Sequence, residues 1–252
     1  MNIILVDREE VTAAGLIRLA DHRAAHLVGI LKKAAGDTVR LGIIGGAAGT
    51  ARILALAEDG SVELFFQAAD AARRPPFDLI LALPRPIMLQ RILFQAPQLG
   101  VARIFLIRSE RVEKSYFQAT LLREAEYSRV LRAGMEQAEE TWMPEIHIVP
   151  RFRRFLDEVL PLHAADWQAA FVAHPEGGVP LRQHLNLPLA GRAVVAIGPE
   201  GGWIPYETSG FRKRGFLPVS LGRRILRVET AIPVLLGQLQ LFLPPEGFSS
   251  SP

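Results

Sequence analysis

The first seventy residues alternate between short apolar runs and glycine-containing turns, a pattern typical of antiparallel β structure. Apolar segments occur at 2–6, 38–44, 50–57 and 61–66. Apolar and polar positions alternate in TARILALA, and EDG separates it from SVELFF, which predicts a hairpin. We expect a small β-barrel or sandwich over 1–70. The arginines and paired prolines of 71–76 interrupt both helix and sheet, which predicts a linker.

After the linker, continuous apolar runs alternate with amphipathic segments. Strands are predicted at 77–84, 101–107, 145–149, 168–174, 192–198 and 216–222. Helices are predicted at 87–99, 120–139, 152–162, 205–214 and 231–243. This alternation predicts an α/β fold with a mostly parallel sheet that is covered on both faces. The last helix is apolar nearly all round, so we expect it to be buried in a core or against a second subunit.

The composition excludes several kinds of chemistry. The chain has 252 residues, 49% of them hydrophobic and 22% charged, as expected for a globular protein with a sizeable core. It has no cysteine, and its six histidines show no HExxH spacing, so no metal site is expected. No apolar run reaches the roughly 20 residues that cross a bilayer, and residues 1–20 carry five charges. We therefore expect a cytoplasmic protein.

The basic residues are almost all arginine. The formal net charge is only +3, but 25 of the 29 basic residues are Arg. The guanidinium group suits phosphates and base edges, so this bias permits a nucleic-acid partner. A GC-rich genome would produce the same bias, and the composition leaves both explanations open.

Three predicted strand ends are followed by loops rich in glycine, proline or arginine. They are FVAHPEGG (171–178), AIGPEGGW (196–203) and VSLGRRILRVET (219–230). Ligands of open α/β sheets bind beyond the carboxyl ends of the strands. Each loop alone also fits an ordinary turn, but together the three predict one shared pocket.

The GPEGG loop resembles a phosphate cradle at first sight. However, the chain contains neither GxxxxGK[ST] nor GxGxxG, and Glu200 would repel a phosphate. Glycine lets a ligand approach the backbone closely. These features favour a ligand without strong negative charge, such as an adenosyl or other nucleoside group.

The third loop carries Arg223, Arg224 and Arg227, with Glu229 two residues further on. One interpretation is a solvated basic loop with a salt bridge between Arg227 and Glu229. The other is a site in which the arginines bind an anionic partner and the carboxylate orients them.

Several further side chains have predicted roles. Thr230 is predicted to cap the last helix, with Pro233 in its first turn. His174 is either a catalytic base or a structural residue. Trp203 and Tyr206 either stack on a base or pack in a core or interface.

AIGPEGGW and PVSLGRRILRVETA together resemble the RsmE family of SPOUT-class methyltransferases. LGVARIFLIRSER (99–111) and MEQAEETWMPEI (135–146) are similar to other stretches of that family, and HLVGILKKAAGDTVRL (26–41) is similar to its PUA-like module. The resemblance covers nearly the whole chain. Members transfer a methyl group from S-adenosylmethionine to N3 of a uridine in 16S ribosomal RNA, which is the activity that the resemblance implies.

The resemblance also implies an architecture and a cofactor site. It implies a PUA-like RNA-binding β-barrel over 1–70 and a SPOUT domain over 77–246 with a C-terminal trefoil knot. It implies a homodimer joined through the knot and the last helix. S-adenosylmethionine would lie in the knot, against Ala173, His174, Ile197, Gly198, Pro199, Glu200, Gly201, Gly202, Ser220, Leu221, Gly222, Ile225 and Leu226.

The same resemblance marks Arg227 and Glu229 as candidate catalytic residues. N3 of uridine must lose its proton before it attacks the methyl group, and arginine suits stabilisation of the uracil anion in a flipped-out base. Glu229 would orient Arg227 or accept the proton. Contacts with RNA are expected from His26, Lys32, Arg111, Arg223 and Arg224.

The sequence departs from the family pattern at positions that bear on the RNA target. Glu140 stands where the family carries Arg, Gly29 and Lys32 replace residues of its HxxRVLR motif, and Ile204 with Pro205 replaces the Ser or Thr cap after GPEGG. Only the fixed φ of the proline is then expected to favour the helix start. Two alternatives therefore stay open: a SPOUT methyltransferase with another RNA target, and a non-catalytic RNA-binding or ribosome-assembly protein.

Overall fold

The structure is a computed structural model that describes residues 2–175, 177–185, 188–189 and 191–244. The chain divides into two compact units. Unit 1 comprises Met1–Arg74 and Arg129–Met143, and unit 2 comprises Pro75–Ser128 and Pro144–Pro252. The division at Arg74 falls within the predicted linker, whereas residues 129–143, which the sequence analysis assigned to the second domain, make their contacts in unit 1.

Unit 1 is built on a five-stranded sheet. Its strands are β1 (Ile4–Val6), β2 (Leu16–Leu19), β3 (Thr38–Ile43), β4 (Ala48–Leu56) and β5 (Val62–Asp70). The spatial order is β1-β3-β4-β5-β2, with β1 and β3 parallel and the other pairs antiparallel. The predicted hairpin is confirmed by the pairing of β4 with β5. Strand β2 was not predicted from the sequence, although its residues alternate between exposed and buried positions.

The remainder of unit 1 surrounds this sheet. The short helix α1 (His22–Ala25) runs into a π-helical turn, His26–Ile30. The segment that follows residue 138 is tied to the turn after β3, since Gly45 N–H donates to the Thr141 carbonyl at 2.8 Å and the Thr141 hydroxyl donates to Gly46 O at 2.8 Å. Glu140 accepts hydrogen bonds from the backbone N–H groups of Thr141 and Trp142, so its carboxylate stabilises this turn.

Unit 2 contains a six-stranded, fully parallel sheet. Its strands are β6 (Phe77–Ala82), β7 (Val101–Ile107), β8 (Glu145–Val149), β9 (Trp167–Ala173), β10 (Arg192–Ile197) and β11 (Leu217–Val219). The spatial order is β11-β9-β10-β6-β7-β8. All residues of β6 and β7 are buried, as expected for a sheet covered on both faces. The predicted α/β fold is confirmed.

Six α-helices follow the linker in the described part of the chain. They are α2 (Pro86–Gln95), α3 (Glu124–Ala138), α4 (Phe152–Arg154), α5 (Leu160–His163), α6 (Pro205–Arg212) and α7 (Val228–Gln240). A π-helical turn, Phe155–Val159, joins α4 to α5. Short 3-10 turns occupy Arg8–Glu10, Pro97–Leu99, Lys114–Gln118, Thr120–Leu122, Ala164–Asp166 and Leu181–Gln183. Within the described ranges, no helix combines the length and the apolar character needed to span a membrane.

A buried ion-pair network joins the amino ends of the central strands. Asp78 is fully buried and accepts hydrogen bonds from Arg103 at 2.5 and 2.9 Å, from the Trp167 indole at 2.6 Å, and from Arg192. Each buried charge is therefore paired, as burial requires. The network connects β6, β7, β9 and β10 at the edge opposite their carboxyl ends.

Helix α7 begins three residues earlier than the sequence predicted. Arg227 is its N-cap residue, so the predicted cap Thr230 lies inside the first turn. Pro233 consequently lies in the helix interior rather than in the first turn. The helix tolerates the proline because its apolar side chains are packed, with five of them buried: Val228, Ile232, Leu235, Leu236 and Leu239.

Candidate active site

The three predicted loops line one cavity of about 370 Å³ at the carboxyl ends of β9, β10 and β11. Sites for small molecules have volumes of roughly 300–1,000 Å³. All the predicted cofactor residues line it: Ala173, His174, Ile197, Gly198, Pro199, Glu200, Gly201, Gly202, Ser220, Leu221, Gly222, Ile225 and Leu226. Pro175, Val219, Val228 and Ala231 also line it, although they were not among the cofactor residues predicted from the sequence.

A tight turn shapes the GPEGG loop. Gly202 N–H donates to the Pro199 carbonyl at 2.8 Å, and Gly202 has φ +72°, a left-handed conformation that favours glycine. A Cβ on Gly198 would lie 3.2 Å from the Trp203 indole ring. Trp203 is 4% exposed and packs against Phe211, with ring centroids 5.1 Å apart. Trp203 therefore packs in the core and contributes only a small part of its surface to the cavity lining, which supports packing over stacking on a base.

The loops after β9 and β11 are joined by backbone hydrogen bonds. His174 N–H donates to Val219 O at 3.0 Å, and Ser220 N–H donates to Val179 O at 3.0 Å. At Gly178, a Cβ would come within 2.6 Å of the Val219 carbonyl carbon, so only glycine permits this approach. Two of the three cavity walls are thus fixed relative to each other.

The three arginines of the third loop differ in whether they line the cavity. Arg224 and Arg227 are exposed and line the cavity, whereas Arg223 is exposed outside its lining. Glu229 lies half-buried in the first turn of α7 and does not line the cavity. No ion pair joins Arg227 to Glu229 in the described part of the chain, so the salt bridge considered from the sequence is not formed in this structure.

The other predicted RNA-binding residues are distributed over both units. Arg111 lies in unit 2, and its guanidinium donates a hydrogen bond to the Gly201 carbonyl in the GPEGG loop. His26 and Lys32 lie in unit 1, where His26 is partly buried and Lys32 is exposed with a left-handed φ of +53°. A role of these three residues in RNA binding stays a prediction.

Glu207 is the main residue near the site that the sequence analysis missed. Its side chain is buried, and its two carboxylate oxygens accept the Glu110 N–H at 2.8 Å and the Ile204 N–H at 3.0 Å. Burial raises the pKa of the Glu207 carboxyl. The expectation that proline alone favours the start of α6 was therefore wrong, because Glu207 also satisfies a free N–H there. The sequence pattern that indicates this hydrogen bond is a Glu three residues after the N-cap residue.

The lining suits an adenosyl ligand better than a phosphate or a metal. Apolar side chains of Ile197, Leu221 and Leu226 form walls, the glycines expose backbone groups, and Glu200 contributes a carboxylate that lies 3.7 Å from the Arg85 guanidinium. Among the described residues, no cluster of His, Asp or Glu has the arrangement of a metal site.

Comparisons with known proteins agree with this geometry. A family model described as an RNA methyltransferase domain matches residues 72–240. A Treponema pallidum protein named ribosomal RNA small subunit methyltransferase E is 33% identical over 92% of this chain and 87% of its own. A Synechocystis protein of the same name is 31% identical, over 95% and 77% respectively.

Structural similarity extends over the whole fold. The crystal structure of a ribosomal RNA small subunit methyltransferase E from Neisseria gonorrhoeae, bound to S-adenosyl methionine, has a TM-score of 0.76 at 23% identity. It covers 96% of this chain and 98% of its own. The matched family model and the fold together define an RNA methyltransferase with a SPOUT-type fold. More particularly, the chain belongs to the ribosomal RNA small subunit methyltransferase E family.

Proposed function

We propose that this protein transfers the methyl group of S-adenosylmethionine to N3 of a uridine in 16S ribosomal RNA. The observation that carries the proposal is the convergence of three loops on one adenosyl-sized cavity with Arg227 in its lining. Membership of the family supports methylation of small-subunit ribosomal RNA. The choice of uridine N3 comes from the RsmE resemblance.

The cavity residues have separate tasks in this reaction. S-adenosylmethionine supplies an electrophilic methyl group when it is bound against the glycine-rich loop. Arg227, which is the N-cap residue of α7 and part of the cavity lining, stabilises the negative charge that the uracil ring acquires as N3 releases its proton to solvent. Glu229 lies two residues after Arg227 in the first turn of α7 and does not line the cavity, so it does not accept the proton directly. It forms no ion pair with Arg227 among the described residues, so an orienting role requires the two side chains to come together when RNA binds.

We also propose that the enzyme acts as a cytoplasmic homodimer, with unit 1 as a PUA-like RNA-binding module and the trefoil knot in unit 2. Exposed apolar side chains on α7 and just after it support the interface: Val234 is 37% exposed and Leu241 is 83% exposed. Val234 and Leu241 are seven residues apart and therefore lie on the same helical side, as the members of one apolar contact surface would. The exposed arginines Arg223 and Arg224 beside the cavity support contact with an anionic polymer.

Replacement of Arg227 by Ala tests the catalytic assignment. We expect methylation to fall by at least 100-fold, since a charge-stabilising donor contributes about 10²–10³ in kcat. The affinity for S-adenosylmethionine, measured by calorimetry, should change less than threefold. Arg153→Ala is the control, because Arg153 is an exposed arginine in the same unit and holds only a surface ion pair. Unchanged turnover in Arg227→Ala would contradict the assignment.

The target is tested separately by mapping methylated uridines in total RNA from cells with and without the gene. We expect one N3-methyluridine in 16S RNA to disappear in the deletion strain. Loss of methylation in another RNA would favour the alternative SPOUT target. A wild-type protein that fails to bind S-adenosylmethionine at millimolar concentration would favour the non-catalytic alternative.

A further inference from the structure

The GPEGG loop is held by side chains that lie outside the cavity. Six consecutive residues, 198–203, line the cavity and form one of its walls. The loop is followed directly by α6, whose first N–H groups have no helical partners of their own. The conformation of this wall therefore depends on the groups that hydrogen-bond to the backbone at the start of α6.

Glu207 supplies this fixation through one carboxylate with two partners. One oxygen accepts the N–H of Ile204, the residue that ends the loop, and the other accepts the N–H of Glu110, which lies in the segment after β7. Glu207 is only 2% exposed, so water does not replace either bond. The carboxylate thus connects the end of the loop to the carboxyl end of a central, fully buried strand.

Arg111 adds a second connection from the same segment. Its guanidinium donates to the carbonyl of Gly201, in the middle of the loop. A Cβ on Gly201 would lie 2.9 Å from the Arg111 Cδ, which shows how closely the two run. Glu110, Arg111 and Glu207 together form what we call the loop clamp.

We propose that Glu207 is a positioning residue for the methyl donor: through the loop clamp it holds residues 198–203 in the conformation that receives the cofactor. This inference rests on the proposed function, because it assigns the loop a donor to receive. Glu207 touches neither the cavity nor the reacting atoms. It acts by limiting the backbone conformations of the loop. The loop is then already ordered before the ligand binds, and binding does not have to supply the conformational entropy of ordering it.

The Glu207→Gln variant tests the proposal. The two N–H groups face different carboxylate oxygens, and in the amide one of these oxygens becomes an NH₂ group, so the hydrogen bond to Ile204 or to Glu110 is lost. We expect the Kd for S-adenosylmethionine to rise at least tenfold and KM to rise with it, while kcat at saturation changes less than threefold. A merely structural loss would reduce the folded fraction, and hence kcat, without moving KM.

Glu158→Gln is the matched control, because it makes the same chemical change on an exposed side chain of unit 2. We expect it to bind the donor as the wild type does. A folded Glu207→Gln protein with unchanged Kd and KM would overturn the inference. If that variant does not fold, Arg111→Gln decides, since Arg111 is exposed. A rise in Kd of threefold or more in Arg111→Gln supports the clamp, and an unchanged Kd overturns it.

The binding of S-adenosylmethionine to the wild type separates the proposed function from the loop clamp. Failure of the wild type to bind S-adenosylmethionine would contradict the proposed function and the clamp together. Binding that is equal in the wild type and in the folded variants would contradict the clamp alone and leave the proposed function standing.

Discussion

Single residues determine how closely the cavity walls approach one another, and Gly198 is the clearest case. In Gly198→Ala, the added methyl group would lie 3.2 Å from three ring atoms of buried Trp203, closer than ordinary contact. Overpacking of this kind costs about 1–3 kcal/mol. We expect the free energy of unfolding to fall by that amount in urea titrations, and the Kd for S-adenosylmethionine to rise.

Gly29→Ala is the control for this substitution, because a Cβ there meets no atom within 4 Å and the residue is exposed. It should keep wild-type donor binding and leave stability unchanged or raise it by up to about 1 kcal/mol, since Ala favours helical backbone. Equal stability of the Gly198→Ala protein and the wild type would show that Trp203 can move away without cost.

Because Glu207 is buried, we expect the stability of the protein to depend on pH. Burial raises the pKa of its carboxyl above the ordinary 4.5, and the charged groups facing it are Glu110 and Arg111. The folded protein then binds this proton more tightly than the unfolded chain. The contribution of Glu207 to the free energy of unfolding therefore falls as pH rises from 4.5 through the raised pKa.

Urea titrations between about pH 4 and pH 8 measure this effect against Glu207→Gln, which cannot titrate. We expect the stability of the wild type relative to the variant to decrease with rising pH across that window and then to level off. A difference that stays constant over the whole range would contradict the raised pKa.

At the scale of the element, the sequence predicted strands better than helix starts. The buried strands of unit 2 were found because their apolar runs are continuous, whereas β2 was missed because Arg18 interrupts the apolar residues of Leu16–Leu19. The start of α7 was misplaced because Thr230 and Pro233 resemble start signals, whereas packing of the apolar face decides where this helix begins.

Helix α7 also yields an element-scale prediction. Pro233 has no N–H to donate to the carbonyl four residues earlier, and a proline in a helix interior costs about 3 kcal/mol or more. Replacement by Ala restores the donor, while the unfolded chain gains up to about 1 kcal/mol of freedom. We expect Pro233→Ala to raise the free energy of unfolding by about 1–2 kcal/mol, and calorimetry of thermal unfolding measures it. A lower melting temperature would show that the proline is needed for the packing of α7.

At the scale of the whole molecule, local patterns predicted each unit but not how distant segments combine. Residues 129–143 make their contacts in unit 1 although they follow two strands of unit 2 in the chain. The Glu207 carboxylate accepts the backbone N–H of Glu110 across 97 positions of sequence, a separation that no spacing rule addresses. The cavity was predicted because parallel strands share a carboxyl edge, which is a property of the fold rather than of any one loop.

The last whole-molecule prediction concerns the proposed dimer. Leu241 follows α7 and is 83% exposed, and Leu162 in α5 is 78% exposed. If α7 and its end form the interface, a charge at Leu241 would be buried against the partner without a counter-ion, at considerable cost. Sedimentation equilibrium should give a mass near twice 27.8 kDa for the wild type and for Leu162→Glu, and a lower average mass for Leu241→Glu. The two variants differ only in the place of the charge, so a general effect of charge on solubility would alter both. A wild type of 27.8 kDa at micromolar concentration would contradict the dimer itself, and an intact Leu241→Glu dimer would place its interface elsewhere.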